Sequence, residues 1–131
     1  DLPLGNTWYV PGGQSTIGQM VEDAGGTYCF RNDKSGGSKA LAAEVVVEQC
    51  EDADLWLFRY GGAEKTIATL ASENKAFTHL KAWQDGNVWG CSTERTLFYE
   101  ETPFRPDRLL EEFSNIFRNR SGEGQYFKKL K

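Results

Sequence analysis

Three loops contain the residues whose types and spacing could bind a ligand: residues 11–16, 60–64 and 92–98. Each follows a strand-like apolar stretch, and open α/β sheets bind ligands beyond the carboxyl ends of their strands. The first loop reads Pro-Gly-Gly-Gln-Ser-Thr before a helical pattern, where free backbone N–H groups could hold an anion. It lacks the glycine and lysine spacing of phosphate-binding loops, and a tight turn without ligand contact explains it equally well.

The third loop, residues 92–98, combines a guanidinium, a carboxylate and aromatic rings. Arg95 could clamp an anionic oxygen by two parallel hydrogen bonds. The simpler interpretation is a surface ion pair with a neighbouring carboxylate: Glu94, Glu100 or Glu101. Of Phe98 and Tyr99, we expect one ring to be packed and the other exposed.

Few residues could perform catalysis. His79 is the single histidine, and its helical surroundings hold no serine or cysteine that it could activate, so we expect a surface histidine. The Glu-Glu pairs at 100–101 and 111–112 are adjacent in sequence, so their side chains do not converge on one point. Three tryptophans could suggest a carbohydrate platform but fall inside predicted strands, which favours the core: Trp8, Trp56 and Trp89. We therefore expect neither an enzyme nor a cofactor, because a hydrolase or transferase needs a nucleophile beside a base.

The cysteines carry little information. Cys29, Cys50 and Cys91 are far apart, and a structural zinc site needs about four closely spaced N or S ligands. One disulfide could form, but the sequence cannot choose its pair. We expect buried thiols and no bound metal.

Composition restricts the partners. A chain of 131 residues with 39% hydrophobic and 26% charged residues fits one globular domain. The net charge of -4 argues against nucleic acid and anionic membranes. Basic residues gather at the end: Arg118, Arg120, Lys128, Lys129 and Lys131. We expect residues 118–131 to form a solvated tail. No apolar run reaches the roughly 20 residues of a membrane span, and residues 1–5 do not resemble a signal peptide, so an export signal would lie outside this sequence.

Strand and helix patterns alternate along the sequence. The predicted strands cover residues 7–10, 28–30, 55–60 and 88–91, and the predicted helices cover residues 17–24, 41–50, 64–70, 77–83 and 106–117. Thr16 and Gln19 have the spacing of a capping box for the first helix. This alternation predicts a three-layer α/β sandwich with a mainly parallel sheet of about four strands and helices on both faces. We expect residues 1–131 to form one such domain, with its core at about residues 6–117.

Four segments in a fixed order carry a family resemblance. The first, residues 8–26, is a strand followed by a glycine turn and a helix that ends in Ala-Gly-Gly, and the second, residues 44–58, is a helix that ends in Asp-Ala-Asp before an apolar strand. The third, residues 77–88, is a helix and turn before the last strand, and the fourth is a helix that begins at Pro106. In this order they resemble the carboxy-terminal lobe of periplasmic substrate-binding proteins of ABC importers for ferric siderophores, haem or cobalamin. The ending, residues 126–131, is similar to members from Bacteroides-like bacteria. Where the family often has Ser-x-Glu at the second helix, this chain has Ala42-Ala43-Glu44, which weakens the cap by about 1 kcal/mol.

The resemblance implies a non-catalytic binding component, periplasmic and anchored as a lipoprotein in its full-length form. Its partners would be a metal-chelate small molecule, an ABC permease in the membrane and a missing amino-terminal lobe. The implied ligand-facing residues are Gly13, Gln14, Ser15, Tyr60, Thr93, Arg95 and Phe98. Family members also dock on permease arginines through one acidic residue per lobe. Glu64 is the first candidate for this residue here, and we expect its side chain to be exposed and unpaired. Glu22 is the second candidate. The alternative is a stand-alone flavodoxin-like nucleotide-binding or signalling domain, which predicts mononucleotide binding at the Gly12–Gly13 turn.

Overall fold

The computed structural model describes residues 2–119 and 124–131. Within them the chain forms two small sheets. The strands are β1 (Thr7–Pro11), β2 (Ser38–Ala42), β3 (Trp56–Tyr60), β4 (Val88–Ser92) and β5 (Lys128–Lys129). β1 and β2 form an antiparallel pair, whereas the second sheet has the order β3-β4-β5, with β3 parallel and β5 antiparallel to β4.

Helices occupy most connections between these strands. They are α1 (Thr16–Asp23), α2 (Ala43–Cys50), α3 (Ile67–Glu73), α4 (Lys81–Gln84), α5 (Phe98–Glu101) and α6 (Pro106–Asn119), with a 3-10 helix at Lys75–His79. The predicted last helix is confirmed, because α6 begins at Pro106 and buries its apolar stripe. The predicted capping box of α1 is wrong: Ser15 is the N-cap, and its hydroxyl accepts from the Gly18 N–H at 3.1 Å. None of the helices in the described ranges is long and apolar enough to cross a membrane.

The predicted three-layer sandwich with a mainly parallel four-stranded sheet is wrong. The predicted strand at residues 28–30 does not form, because Tyr28 turns back and its hydroxyl donates to the Pro11 carbonyl at 2.5 Å. The partner of β1 is instead β2, which arrives antiparallel. Among the described strands only β3 and β4 run parallel, since the third strand of their sheet comes from the carboxyl-terminal residues and is antiparallel.

The β3-β4-β5 sheet separates two apolar clusters. Side chains alternate between the two faces of a strand, so Phe58 and Val88 enter one cluster while Trp89 and Cys91 enter the other. The first cluster packs against α2, α3 and β1: Trp8, Val10, Ala43, Val46, Val47, Leu70, Phe77 and Leu80. The second packs against α5, α6 and the carboxyl-terminal segment: Phe98, Leu109, Phe113, Ile116, Tyr126 and Phe127. The strand-end loops therefore extend from a sheet that is packed on both faces.

The carboxyl-terminal segment, residues 124–131, differs from the solvated tail that we expected. Tyr126 and Phe127 are only 1% and 3% exposed, and their backbone is held by the buried carboxylate of Glu112. The basic residues Lys128 and Lys129 are exposed although they form β5. Arg120, part of the same expectation, lies outside the described residues. Three residues of this segment therefore belong to the core: Tyr126, Phe127 and Leu130.

Candidate functional site

The carboxyl ends of β3 and β4 bring two loops together. The strands are parallel, with Tyr60 opposite Ser92. The backbone N–H of Thr93 donates to the Tyr60 carbonyl at 2.9 Å, and the Thr93 hydroxyl donates to the same oxygen at 3.2 Å. Because this shared carbonyl ties the loops together, residues 60–64 and 93–95 form one surface, which we call the strand-end edge. Sequence reasoning placed Tyr60 and Thr93 together, and the structure brings them together.

Arg95 and Glu64 meet across this edge. The Arg95 guanidinium lies 3.6 Å from a Glu64 carboxylate oxygen, and the two side chains are 58% and 66% exposed. Our expectation that Glu64 is unpaired was therefore wrong, although its exposure is confirmed. An ion pair this exposed contributes about 0–1 kcal/mol, because water and salt screen it. The guanidinium is oriented by Glu64 yet remains open to a ligand.

Phe98 is not at the surface. Its ring is 4% exposed and packs edge-on against Tyr126, with the centroids 5.7 Å apart. A ligand-facing role for Phe98 is thus not supported, because its neighbours come from the carboxyl-terminal segment that we had treated as a tail. Tyr99 is 54% exposed, so the prediction that one ring packs and the other is exposed is confirmed. The Arg59 guanidinium lies 5.3 Å and 5.5 Å from the Phe98 and Tyr99 ring centroids.

The predicted anion loop before α1 is filled by backbone rather than open to a ligand. The N–H groups of Gly12 and Gln14 donate to the carbonyls of Gly37 and Ser35, at 2.8 Å and 3.0 Å. Gly13 is buried beneath residues 30–33, and a Cβ there would clash with three of their carbonyl oxygens: Phe30, Arg31 and Asp33. Ser15 is buried as the N-cap, and the exposed Gln14 side chain bonds Gln19 at 2.9 Å. The three ligand-facing candidates of this loop therefore have structural contacts.

Glu22, the second docking candidate, is exposed on the last turn of α1. One of its carboxylate oxygens accepts from the Tyr28 N–H at 3.5 Å, a long bond at the geometric limit. The carboxylate therefore lies beside the turn that replaces the predicted strand at residues 28–30, well apart in sequence from the strand-end edge.

A groove missed by the sequence reasoning lies between α2 and the 3-10 helix. It is shallow and open to solvent, has a volume of about 430 Å³, and is lined by Glu44, Val47, Glu48, Glu51, Lys75, Ala76 and His79. The three glutamates are spaced i, i+4, i+7 and therefore share one face of α2. Among the described residues none of the three forms an ion pair or hydrogen bond through its side chain. His79 is exposed, as expected, and the repeated glutamate spacing was the signal that could have revealed the acidic face of α2.

Two cysteines are joined. Cys29 and Cys50 form a disulfide with their Cα atoms 5.7 Å apart, so the expectation of buried thiols was wrong for this pair. Cys91 is a buried free thiol, as expected, and burial raises its pKa. The pairing was missed because the turn at residues 28–30, which carries Cys29 to the end of α2, was predicted as a strand. Across the described ranges, no cluster of three or more His, Cys, Asp or Glu side chains could hold a metal ion.

No family model, curated protein or solved structure matches the chain. The family resemblance therefore rests on the four sequence segments and on the order in which they occur.

Proposed function

We propose that this chain is one lobe of a non-catalytic substrate-binding protein that delivers a metal chelate (a ferric siderophore, haem or cobalamin) to an ABC importer. The observation that carries the proposal is the strand-end edge. Two parallel strands end side by side, with the half-buried Tyr60 and Thr93 next to the exposed Arg95, at the place where α/β domains bind ligands. The exposed Arg95 offers a polar contact, and the exposed Tyr99 offers an aromatic ring that suits haem, corrin or catecholate groups.

Exposed apolar side chains support a second lobe. Within residues 97–104, Leu97, Tyr99 and Phe104 are 57%, 54% and 82% exposed. Soluble proteins rarely leave large apolar groups clustered at the surface unless a ligand or partner covers them. These residues directly follow the strand-end edge, so a ligand held there between two lobes would approach them. The missing partner in this proposal is an amino-terminal lobe.

The disulfide supports a periplasmic location. Disulfides persist in oxidising compartments and are rare in the reducing cytosol. The Cys29–Cys50 bond fits a protein that acts outside the cytoplasm, and membrane anchoring as a lipoprotein is part of the proposal for the full-length form.

The permease would dock on α2. Glu64, the candidate from the sequence, is engaged by Arg95, whereas Glu44, Glu48 and Glu51 form an unpaired acidic row beside a groove. The resemblance implies permease arginines as the partner groups, and carboxylates without internal partners can meet them without first breaking an ion pair. We therefore move the proposed docking surface from Glu64 and Glu22 to this row.

The nucleotide-binding alternative gains no support. It required phosphate at the Gly12–Gly13 turn, yet the Gly12 and Gln14 amides already donate to backbone carbonyls. A phosphate would have to displace residues 30–37 before it could reach them.

Measurement of ligand uptake by cells tests the proposed function. Cells lacking the gene should lose uptake of at least one of three radiolabelled ligands, a ferric siderophore, haem or cobalamin. Complementation with full-length protein carrying Arg95→Glu should restore uptake poorly and lower ligand affinity, because the exposed guanidinium is replaced by a carboxylate. The triple variant Glu44→Gln, Glu48→Gln, Glu51→Gln should lower uptake with ligand affinity unchanged.

Glu111→Gln supplies the matched control, since this carboxylate is exposed on α6. Uptake of all three ligand classes at the normal rate in the deletion strain would refute the proposed function. Normal uptake by the triple variant alone would remove only the docking surface.

A further inference from the structure

We propose that the strand-end edge selects metal chelates without net negative charge, a neutral tris-hydroxamate or corrinoid, over polyanionic tris-catecholates. This inference rests on the proposed function and narrows its ligand class. It is drawn from the charges that remain uncompensated around Tyr60 and Thr93.

The cationic groups near the edge are already engaged. Arg95 is paired with Glu64 at 3.6 Å. Lys65, which follows Glu64, forms an ion pair with Glu73 on α3. The Arg59 guanidinium lies over the Phe98 and Tyr99 rings, where its positive charge faces π electrons. An anionic ligand would therefore find each nearby cation with an existing partner.

The carboxylates are not all compensated. Glu94 is exposed, and in the part of the chain that the structure describes its side chain forms no ion pair or hydrogen bond. The Glu94 carboxylate lies over the end of β3, since one of its oxygens would be 3.3 Å from a Cβ placed on Gly61. The edge thus presents surplus negative charge, with the same sign as the net charge of -4 of the whole chain.

The surplus negative charge of the strand-end edge should favour chelates that carry no net negative charge. Three catecholate groups bring six negative charges to Fe³⁺ and leave the complex with three, whereas three hydroxamates leave it neutral. Both complexes present six oxygens around the metal, so they differ mainly in charge. A trianion that reaches Arg95 must also come close to the carboxylates of Glu64 and Glu94. A neutral chelate can accept a hydrogen bond from the exposed Arg95 guanidinium and leave the ion pair in place.

The test compares these two chelates on the 131-residue chain. Gallium(III) replaces iron(III) with the same charge, so that backbone amide resonances stay visible by NMR. We expect the gallium tris-hydroxamate to shift the Tyr60, Thr93 and Arg95 amides at millimolar concentration, with an affinity at least about tenfold above that of the tris-catecholate. Glu64→Gln with Glu94→Gln should raise tris-catecholate affinity by about fivefold per carboxylate removed. Tris-hydroxamate affinity should stay within about twofold.

Glu111→Gln on α6 is the control and should change neither affinity. Equal or tighter binding of the tris-catecholate at the edge would overturn this inference and leave the proposed function standing. If neither chelate, nor a neutral corrinoid, shifts these amides at millimolar concentration, the proposed function fails and the inference fails with it.

Discussion

Replacement of Glu112 should release the carboxyl-terminal segment. The carboxylate is 7% exposed and accepts from three successive N–H groups, those of Gln125 at 2.5 Å, Tyr126 at 3.1 Å and Phe127 at 2.8 Å. Glu112→Ala removes the acceptor and leaves the amides of Tyr126 and Phe127 buried, whereas the exposed Gln125 can turn to water. A buried donor without a partner costs about 1–3 kcal/mol, so two of them predict a loss of about 2–6 kcal/mol in the free energy of unfolding.

Urea unfolding followed by tryptophan fluorescence measures this loss, since Trp89 lies in the same cluster as Tyr126 and Phe127. Glu112→Gln keeps one carbonyl acceptor and should lose about 1–2 kcal/mol, which provides a variant that folds if the alanine variant does not. Glu111→Ala, at an exposed neighbouring position, should stay within about 0.5 kcal/mol of the parent. If the two Glu112 variants match Glu111→Ala, the carboxylate does not hold the segment, and our reading of these hydrogen bonds is refuted.

Four further predictions follow from other contacts. Gly13→Ala should lower the melting temperature strongly, because the added Cβ would meet three carbonyl oxygens. Gly36→Ala, with open space around it, is the control and should leave thermal unfolding nearly unchanged. Equal melting temperatures of the two variants would contradict the packing of this turn. Cys29→Ser with Cys50→Ser should lower the free energy of unfolding by about 3 kcal/mol in urea titrations, and no loss under oxidising conditions would show that the bond is absent. Burial, and secondly Asp33, raise the pKa of Tyr28 above its ordinary value of 10.0, so the neutral phenol stabilises the fold fully below pH 10.0 and this contribution is lost as the pH rises further. Above pH 10.0 the free energy of unfolding should therefore fall less with pH for Tyr28→Phe than for the parent. An equal fall in the two proteins would count against the burial of this phenol. In calorimetry at micromolar concentrations the chain alone should bind ferric siderophores, haem and cobalamin weakly or not detectably, because one lobe covers only part of a ligand and the millimolar binding expected by NMR lies outside this range; sub-micromolar binding would show a complete site within this lobe.

The sequence predicted the elements whose own residues determine them. The apolar stripe after Pro106 is sufficient for α6, and the apolar run in β3 fits a strand covered on both faces. Ser38–Ala42 could not be recognised as a strand in the same way, since its residues are mostly exposed and it becomes β2 by pairing with β1. β5 contains only two lysines and is defined by its contact with β4.

The residues of the candidate site differ in the same way, since the sequence could place some of them but not others. Tyr60 and Thr93 could be placed together from the rule that parallel strands end at one edge, which depends on the two strands alone. The burial of Phe98 could not be predicted, because it depends on Tyr126, which is 28 positions away in sequence and reaches the ring only in the folded chain. The pairing of Glu64 with Arg95 likewise depends on how two loops meet, and loop geometry is not encoded by periodicity.

The position of β5 near the carboxyl terminus also affects when the chain can fold during its synthesis. Residues 126–130 complete both apolar clusters, since Tyr126 and Phe127 enter one and Leu130 the other. Synthesis proceeds from the amino terminus, so the earlier part of the chain emerges from the ribosome with its β4 edge unpaired and parts of both clusters uncovered. We therefore expect stable folding only after residues 126–130 have emerged from the ribosome. Up to that moment the uncovered apolar residues are available to a chaperone.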